Sequence, residues 1–120
     1  MEAMGRIGPL MEAMLDAATL RQRVVAENIA NVETPGFRAR KVSFDAALEK
    51  AVADGDLDRM RGAKADVDFR NGRVKSDGND VNPDQEIGEM NRNALAYRTL
   101  LTVVAAKNRM MISAVSGRGG

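Results

Sequence analysis

Residues 84–116 read DQEIGEMNRNALAYRTLLTVVAAKNRMMISAVS. Within them Ile87, Met90, Ala94, Tyr97, Leu101, Val104, Asn108, Met111 and Val115 follow one another at steps of 3, 4, 3, 4, 3, 4, 3 and 4 residues. That spacing is an unbroken heptad seam, the pattern by which one helix packs along another. Asn108 is the polar exception, a residue type that costs stability in such a seam and fixes register. Pro83 precedes the segment and Gly117 follows it. A helix beginning near Asp84 would therefore be about 48 Å long at 1.5 Å per residue, longer than a small compact domain is wide. A second stripe on the same helix, Ala96, Leu100, Val103 and Met110, is offset from the first. Pairing with one other helix covers one face only. Leaving Leu100, Val103 and Met110 in water forfeits about 1.5–3 kcal/mol each. A lone chain therefore reads as incomplete, with other subunits as the natural cover.

The obvious helical partner lies at the other end of the chain. From about Pro9 to Val32, Ile7, Met11, Met14, Ala18, Val25, Ile29 and Val32 share a face, and a proline suits a first helical turn. The exit is also legible. Asn31 tolerates a left-handed C-terminal conformation, Thr34 is biased away from helix by Pro35, and Pro35-Gly36 fits the centre of a type II turn. Between the helices, Ser43 to Asp54 reads as a short amphipathic helix capped by Ser43 and stopped by Gly55. VDFRNGRVK (67–75) reads as a hairpin about Asn71-Gly72, with Phe69 opposite Val74 and Asp68 opposite Lys75.

Composition excludes much chemistry. The 120 residues carry 18 Lys plus Arg against 17 Asp plus Glu, no His and no Cys. The commonest metal ligand, the commonest general base and every thiolate are thus missing. No carboxylates gather at a catalytic spacing, so the sequence predicts no enzyme, no metal and no cofactor. Arg38, Arg40 and Lys41 form a short basic run, but three cations give a salt slope of only about −2.7, without the aromatics of a nucleic-acid surface. They are expected to face solvent or an acidic partner. Asp77-Gly78-Asn79-Asp80 lacks the terminal glutamate of a calcium loop and reads as a polar turn leading to a helix cap. The start of the chain is acidic and interrupted, unlike a cleavable signal, and no apolar run approaches the roughly 20 residues that span a bilayer.

Two short elements carry a resemblance. Asn28-Ile29-Ala30-Asn31 followed by Thr34-Pro35-Gly36-Phe37 resembles the signature of the bacterial flagellar basal-body rod proteins. The stretch DGNDV (77–81), with Glu86, Glu89-Met90, Asn93, Leu95, Tyr97, Lys107 and Met110, is similar to the proximal-rod members of that family. The likeness covers roughly the first 45 and the last 45 residues. It implies a structural subunit of the proximal rod that transmits torque for motility. Implied partners are other rod subunits, further copies of itself, the inner-membrane ring or its adaptor, and the flagellar type III export apparatus. It implies residence in the periplasmic basal body, export without a cleaved signal peptide, no membrane insertion and no nucleic acid.

The expected fold is all-α. Residues 1–32 and 84–120 supply the N- and C-terminal helices of an antiparallel coiled coil, and 33–83 form a loop-rich excursion holding the short helix and the hairpin. Assembly is expected to run through Ile87, Met90, Ala94, Tyr97, Leu101, Val104, Asn108, Met111 and Val115, with Leu100, Val103 and Met110. The motif turn is expected to use Asn28, Ile29, Ala30, Asn31, Thr34, Pro35, Gly36 and Phe37. The Gly-rich tail after Val115 continues a helix poorly. The competing class is a free-standing coiled-coil adaptor that dimerises and recruits one partner protein.

Overall fold

In the computed structural model, residues 2–44, 50, 53–56 and 65–117 are described. Two long helices dominate, α1 (Glu2–Ala30) and α2 (Pro83–Val115). They run antiparallel, as three meetings along their length show. Gly8 lies beside Lys107, Ala18 beside Asn93 and Asn28 beside Glu86. The molecule measures 66 × 26 × 15 Å, with a radius of gyration of 18.3 Å. A compact chain of this length would have about 13.6 Å.

The start of α2 follows from its first residues. Asn82 caps it by accepting a hydrogen bond from the Gln85 N–H at 3.2 Å, Pro83 occupies the first turn, and Asp84 and Glu86 place negative charge at the positive end of the helix. Its end is a bond from the Ser116 N–H to the Ile112 carbonyl, followed by Gly117 in the left-handed region. In α1 the helix begins before the expected place. It runs from Glu2 through Pro9, which stands in the interior and leaves the Gly5 carbonyl without its usual donor.

The excursion is tied down by a small sheet that departs from the expected hairpin. β1 (Arg40–Phe44) pairs antiparallel with β2 (Ala65–Phe69), Val42 opposite Val67 and Lys41 opposite Asp68. The ladder is extended by a bond from the Arg70 N–H to the Ala39 carbonyl at 2.9 Å. The reason is visible in the charges and in what lies beneath. Asp68 finds a lysine opposite it in either register, but only β1 lies against α1 and buries Val42. A hairpin strand at 73–75 has no such support, and Val74 is half exposed. Asn71 still turns the chain, in the left-handed region at φ 55. The fold is therefore mostly helical with one two-stranded sheet. Ser43 and Phe44 belong to β1, so Ser43 caps no helix. Lys50, Ala53 and Asp54 are helical and Gly55 turns after them, while the rest of the expected short helix lies outside the described residues.

Burial is concentrated where the sheet meets the helices. Among the described residues the buried apolar side chains are Ala17, Ala18, Val24, Val25, Ala39, Val42 and Val81. All are small, and as many as five polar residues, Asn28, Asn79, Asp80, Glu86 and Asn93, are buried with them. A core of alanines and valines contributes little area, so the polar contacts decide how this end holds together.

Candidate functional site

The two recognised elements clasp each other. Asn28, in the last turn of α1, uses its whole carboxamide: Nδ2 donates to the Arg40 carbonyl at 2.8 Å and to Glu86 Oε2 at 3.1 Å, while Oδ1 accepts from the Arg40 N–H at 3.0 Å. The side chain thus pairs with the first residue of β1 as a neighbouring strand would. No other short side chain offers a donor and an acceptor side by side, which explains asparagine at this position.

After α1 the chain turns as the sequence requires. The Phe37 N–H donates to the Thr34 carbonyl at 3.2 Å across Pro35-Gly36, and Gly36 has φ +77, the arrangement of a type II turn. Asn31 is not left-handed. Its Nδ2 reaches back to the Glu27 carbonyl and its Oδ1 accepts from the Thr34 hydroxyl. The Asn31 and Thr34 carbonyls, each already accepting a turn N–H, take a second donor from 48 and 45 residues away in Asn79, whose Nδ2 donates to both at 2.8 Å. The DGND stretch is therefore more than a lead-in to a cap. Its backbone meets the turn directly, Gly36 N–H to Asp77 carbonyl at 2.9 Å and Asp80 N–H to Phe37 carbonyl at 3.2 Å. The approach is close enough that a Cβ on Gly78 would sit 3.3 Å from Gly36 Cα, and Gly78 itself has φ +85.

Charge completes the clasp. Asp80 accepts from the Ala39 N–H and from Arg38 Nε at 3.0 Å. Burial pushes the Asp80 carboxyl up, but the Ala39 N–H, the Arg38 guanidinium and the Gly72 N–H outweigh it and hold it below its ordinary value of 3.8. Arg40 pairs with Glu27 at 2.7 Å. Two of the three cations expected to face outward are thus satisfied within the chain, and Lys41 alone of the run is exposed with no such partner among the described residues. Glu86 has no solvent access. Arg70 stands against it, Nε 3.1 Å from Oε1 in an ion pair whose N–H direction misses hydrogen-bond alignment, and Nη2 3.4 Å from Oε2. About two turns along α2, Asn93 donates to the Ala18 carbonyl at 2.8 Å and accepts from Arg21 Nη1 at 3.3 Å.

The seam residues divide. The line of α2 turned toward α1 is Glu86, Met90, Asn93, Tyr97, Leu100, Val104, Lys107 and Met111, buried or half-buried except for Tyr97 at 38% exposure. It shares Met90, Tyr97, Val104 and Met111 with the expected seam. Ile87, Ala94, Leu101, Asn108 and Val115 lie one step round the helix and are exposed, as are Ala96, Val103 and Met110. Both flanks of α2 are thus apolar and open. Alongside one of them a groove of about 530 Å³ runs between the helices, floored by Ala18 and Asn93 and walled by Thr19, Arg23, Ala94 and Tyr97 among others. No group of three or more His, Cys, Asp or Glu among the described residues is placed to hold a metal ion, and no helix there is long and apolar enough to cross a membrane.

An elongated helix pair, locked at one end by a polar clasp and apolar along its open flanks, defines a structural subunit built to lie beside others. The comparisons specify which. The family model described as flagella basal body rod protein matches residues 10–38, the clasp side of α1 together with the Thr34-Pro35-Gly36-Phe37 turn. The flagellar basal body rod protein FlgB of Borrelia hermsii is 33% identical over 115 residues, covering 80% of this chain and 85% of its own. That of Aeromonas hydrophila is 32% identical over 86% of this chain and 87% of its own, and that of Bacillus subtilis (strain 168) 29% identical over 89% and 91%. The chain belongs to the flagellar basal-body rod proteins, structural subunits of the flagellar basal body, and within them it is FlgB-like.

Proposed function

We propose that this subunit builds the proximal part of the rod and passes torque along it through helix-to-helix contacts with its neighbours. The observation that carries the reading is the apolar surface of α2 left open on so thin a molecule: Met110, Ile112 and Val115 are 59%, 68% and 82% exposed. Side chains of that size are normally covered, and helices of like period from adjoining subunits would cover them. In this reading residues 1–32 and 84–120 form an inner helical layer of the shaft, and 33–83 stand outside it. The subunit leaves through the flagellar type III export apparatus without losing a signal peptide. It reaches the periplasm and joins other rod subunits near the inner-membrane ring or its adaptor. Its contribution is mechanical, with no substrate and no reaction.

The test is an in-frame deletion in the source organism, complemented by the full chain. Deletion is expected to abolish the rod and swimming, and a tagged chain is expected to mark the inner-membrane end of isolated basal bodies by electron microscopy. A deletion strain that still builds rods, or a tag found at the distal end, would overturn the proposal.

A further inference from the structure

We propose that the outer edge of β2 takes up an extended segment of another protein as a third strand, a segment in which Lys or Arg alternates with apolar residues. The inference goes beyond the rod-subunit reading, whose contacts run through helices, to a separate surface and the chemistry that fills it. The hydrogen bonds of the sheet identify the edge. Arg70 continues the register opposite Ala39, and its N–H bonds to the Ala39 carbonyl at 2.9 Å. Bonded pairs recur at every second residue of an antiparallel ladder, so Asp68 and Asp66 turn their backbone groups toward Lys41 and Ser43. Arg40 and Val42 therefore turn theirs away from β2, and α1 meets them there. Asn28 takes the N–H and the carbonyl of Arg40, and Arg21 Nη2 donates to the Val42 carbonyl at 3.4 Å. The helix closes that edge. On the far side of β2 the same alternation leaves the Val67 N–H and carbonyl and the Phe69 carbonyl with no hydrogen-bond partner among the described residues. Such an edge is a template for a further strand.

The side chains select the occupant. Val67 and Phe69, 39% and 53% exposed, share the face on which Val42 is buried, and Asp66 and Asp68 occupy the other. In a strand added antiparallel, the residues opposite Asp66 and Asp68 fall at the closely spaced, unbonded positions, where an acid repels and a cation is answered. The residues between them cover Val67 and Phe69 and widen the apolar face that Val42 begins. The β2 of a second copy does not fit, because two such edges side by side would set carboxylates against carboxylates. Asp68 also guards the edge, its Oδ1 accepting from the Phe69 N–H at 2.7 Å. A cation facing Asp68 draws the carboxylate off that N–H and frees it for the ladder.

The test uses the purified full chain and two short capped peptides, Thr-Lys-Val-Lys-Val-Thr and its counterpart with Glu in place of each Lys. The lysine peptide at saturation is expected to slow amide exchange at Val67 at least about tenfold, and the glutamate peptide to leave it unchanged. Asp66→Lys, which faces Ser43 and so meets no like charge directly across the sheet, is expected to cut the lysine peptide's protection at least about fivefold and to admit the glutamate peptide. Val67→Pro removes a donor that points off the sheet. It is expected to abolish the protection read at Phe69 and, in the deletion strain, to lower the copies per basal body at least about fivefold. If Val67→Pro alters the circular dichroism of the chain, Asp66→Lys decides alone. No protection by the lysine peptide, equal protection by both peptides, or normal assembly of a folded Val67→Pro chain overturns the proposal. So does slower exchange at Val67 as the concentration of the chain alone is raised, which would make a second copy the occupant. Rods in the deletion strain would overturn the rod reading and leave the peptide results standing.

Discussion

Asn28 and Ile112 stand near the ends of the same two helices and meet opposite conditions. The side chain of Asn28 is answered on both its atoms across long stretches of chain, by Arg40 and Glu86, and the turn beside it is tied by Asn79. Toward Ile112 burial thins out: on α2 it ends at Asn93, and on α1 neither Gly8 nor any of residues 10–16 is buried. One end is made unique by hydrogen bonds whose loss is costly in a dry setting. The other is apolar, directionless and open. The difference teaches a division of work, in which the clasp gives the single subunit its shape and the far flanks keep their burial for association.

The comparison breaks most sharply at Glu86. Glu86→Ala leaves Arg70 nearly buried without its counter-charge and takes one of two acceptors from the Asn28 amide, so about 3–5 kcal/mol of stability should vanish in urea unfolding. A loss under about 1 kcal/mol would mean that the clasp does not hold the subunit. Next is Asn79→Ala, which removes the second donor from two carbonyls at the end of α1 and leaves the buried Val81 N–H without its acceptor; a cost of about 2–3 kcal/mol is expected, with faster amide exchange at residues 31–37.

Asp80 sharpens the comparison through pH. Its native pKa lies below the ordinary 3.8. Its contribution to stability is therefore complete above the unfolded value and is lost as pH falls through the native one. Asp80→Asn should lower stability at neutral pH by about 1–2 kcal/mol and flatten the acid limb of the stability–pH curve. An unchanged acid limb would show that other carboxylates govern it. The smallest effect on the isolated chain belongs to the far end. Met110→Ser with Ile112→Ser should lower the unfolding free energy in urea by no more than about 0.5 kcal/mol, yet reduce incorporation into basal bodies. Equal losses at both ends would erase the distinction drawn here.

What the sequence revealed follows the range of each interaction. The two helices and the Pro35-Gly36 turn are written locally, in periodicity and backbone chemistry, and the structure contains them. The strand pairing is not local. Asp68 suits Lys75 and Lys41 equally, and Asn71-Gly72 advertised the nearer partner; only packing of β1 on α1 chooses the farther one. The seam of α2 was ambiguous for a related reason. Two lines share Met90, Tyr97, Val104 and Met111, and they diverge at Glu86, Asn93, Leu100 and Lys107, three of them polar residues that an apolar count passes over. The clasp itself left one signal in the sequence, an excess of Asn and Asp in the two recognised elements. Nothing local told that Asn28 and Glu86, 58 residues apart, would meet.

The 15 Å dimension has a mechanical meaning. A body one helix layer deep bends readily across its thin direction and resists bending across its 26 Å width. A single subunit is therefore compliant, and stiffness arises when such plates are bonded face to face so that they can no longer slide past one another. Shear resistance between neighbours, more than the strength of any one subunit, would then set how much twist a shaft made from them can bear.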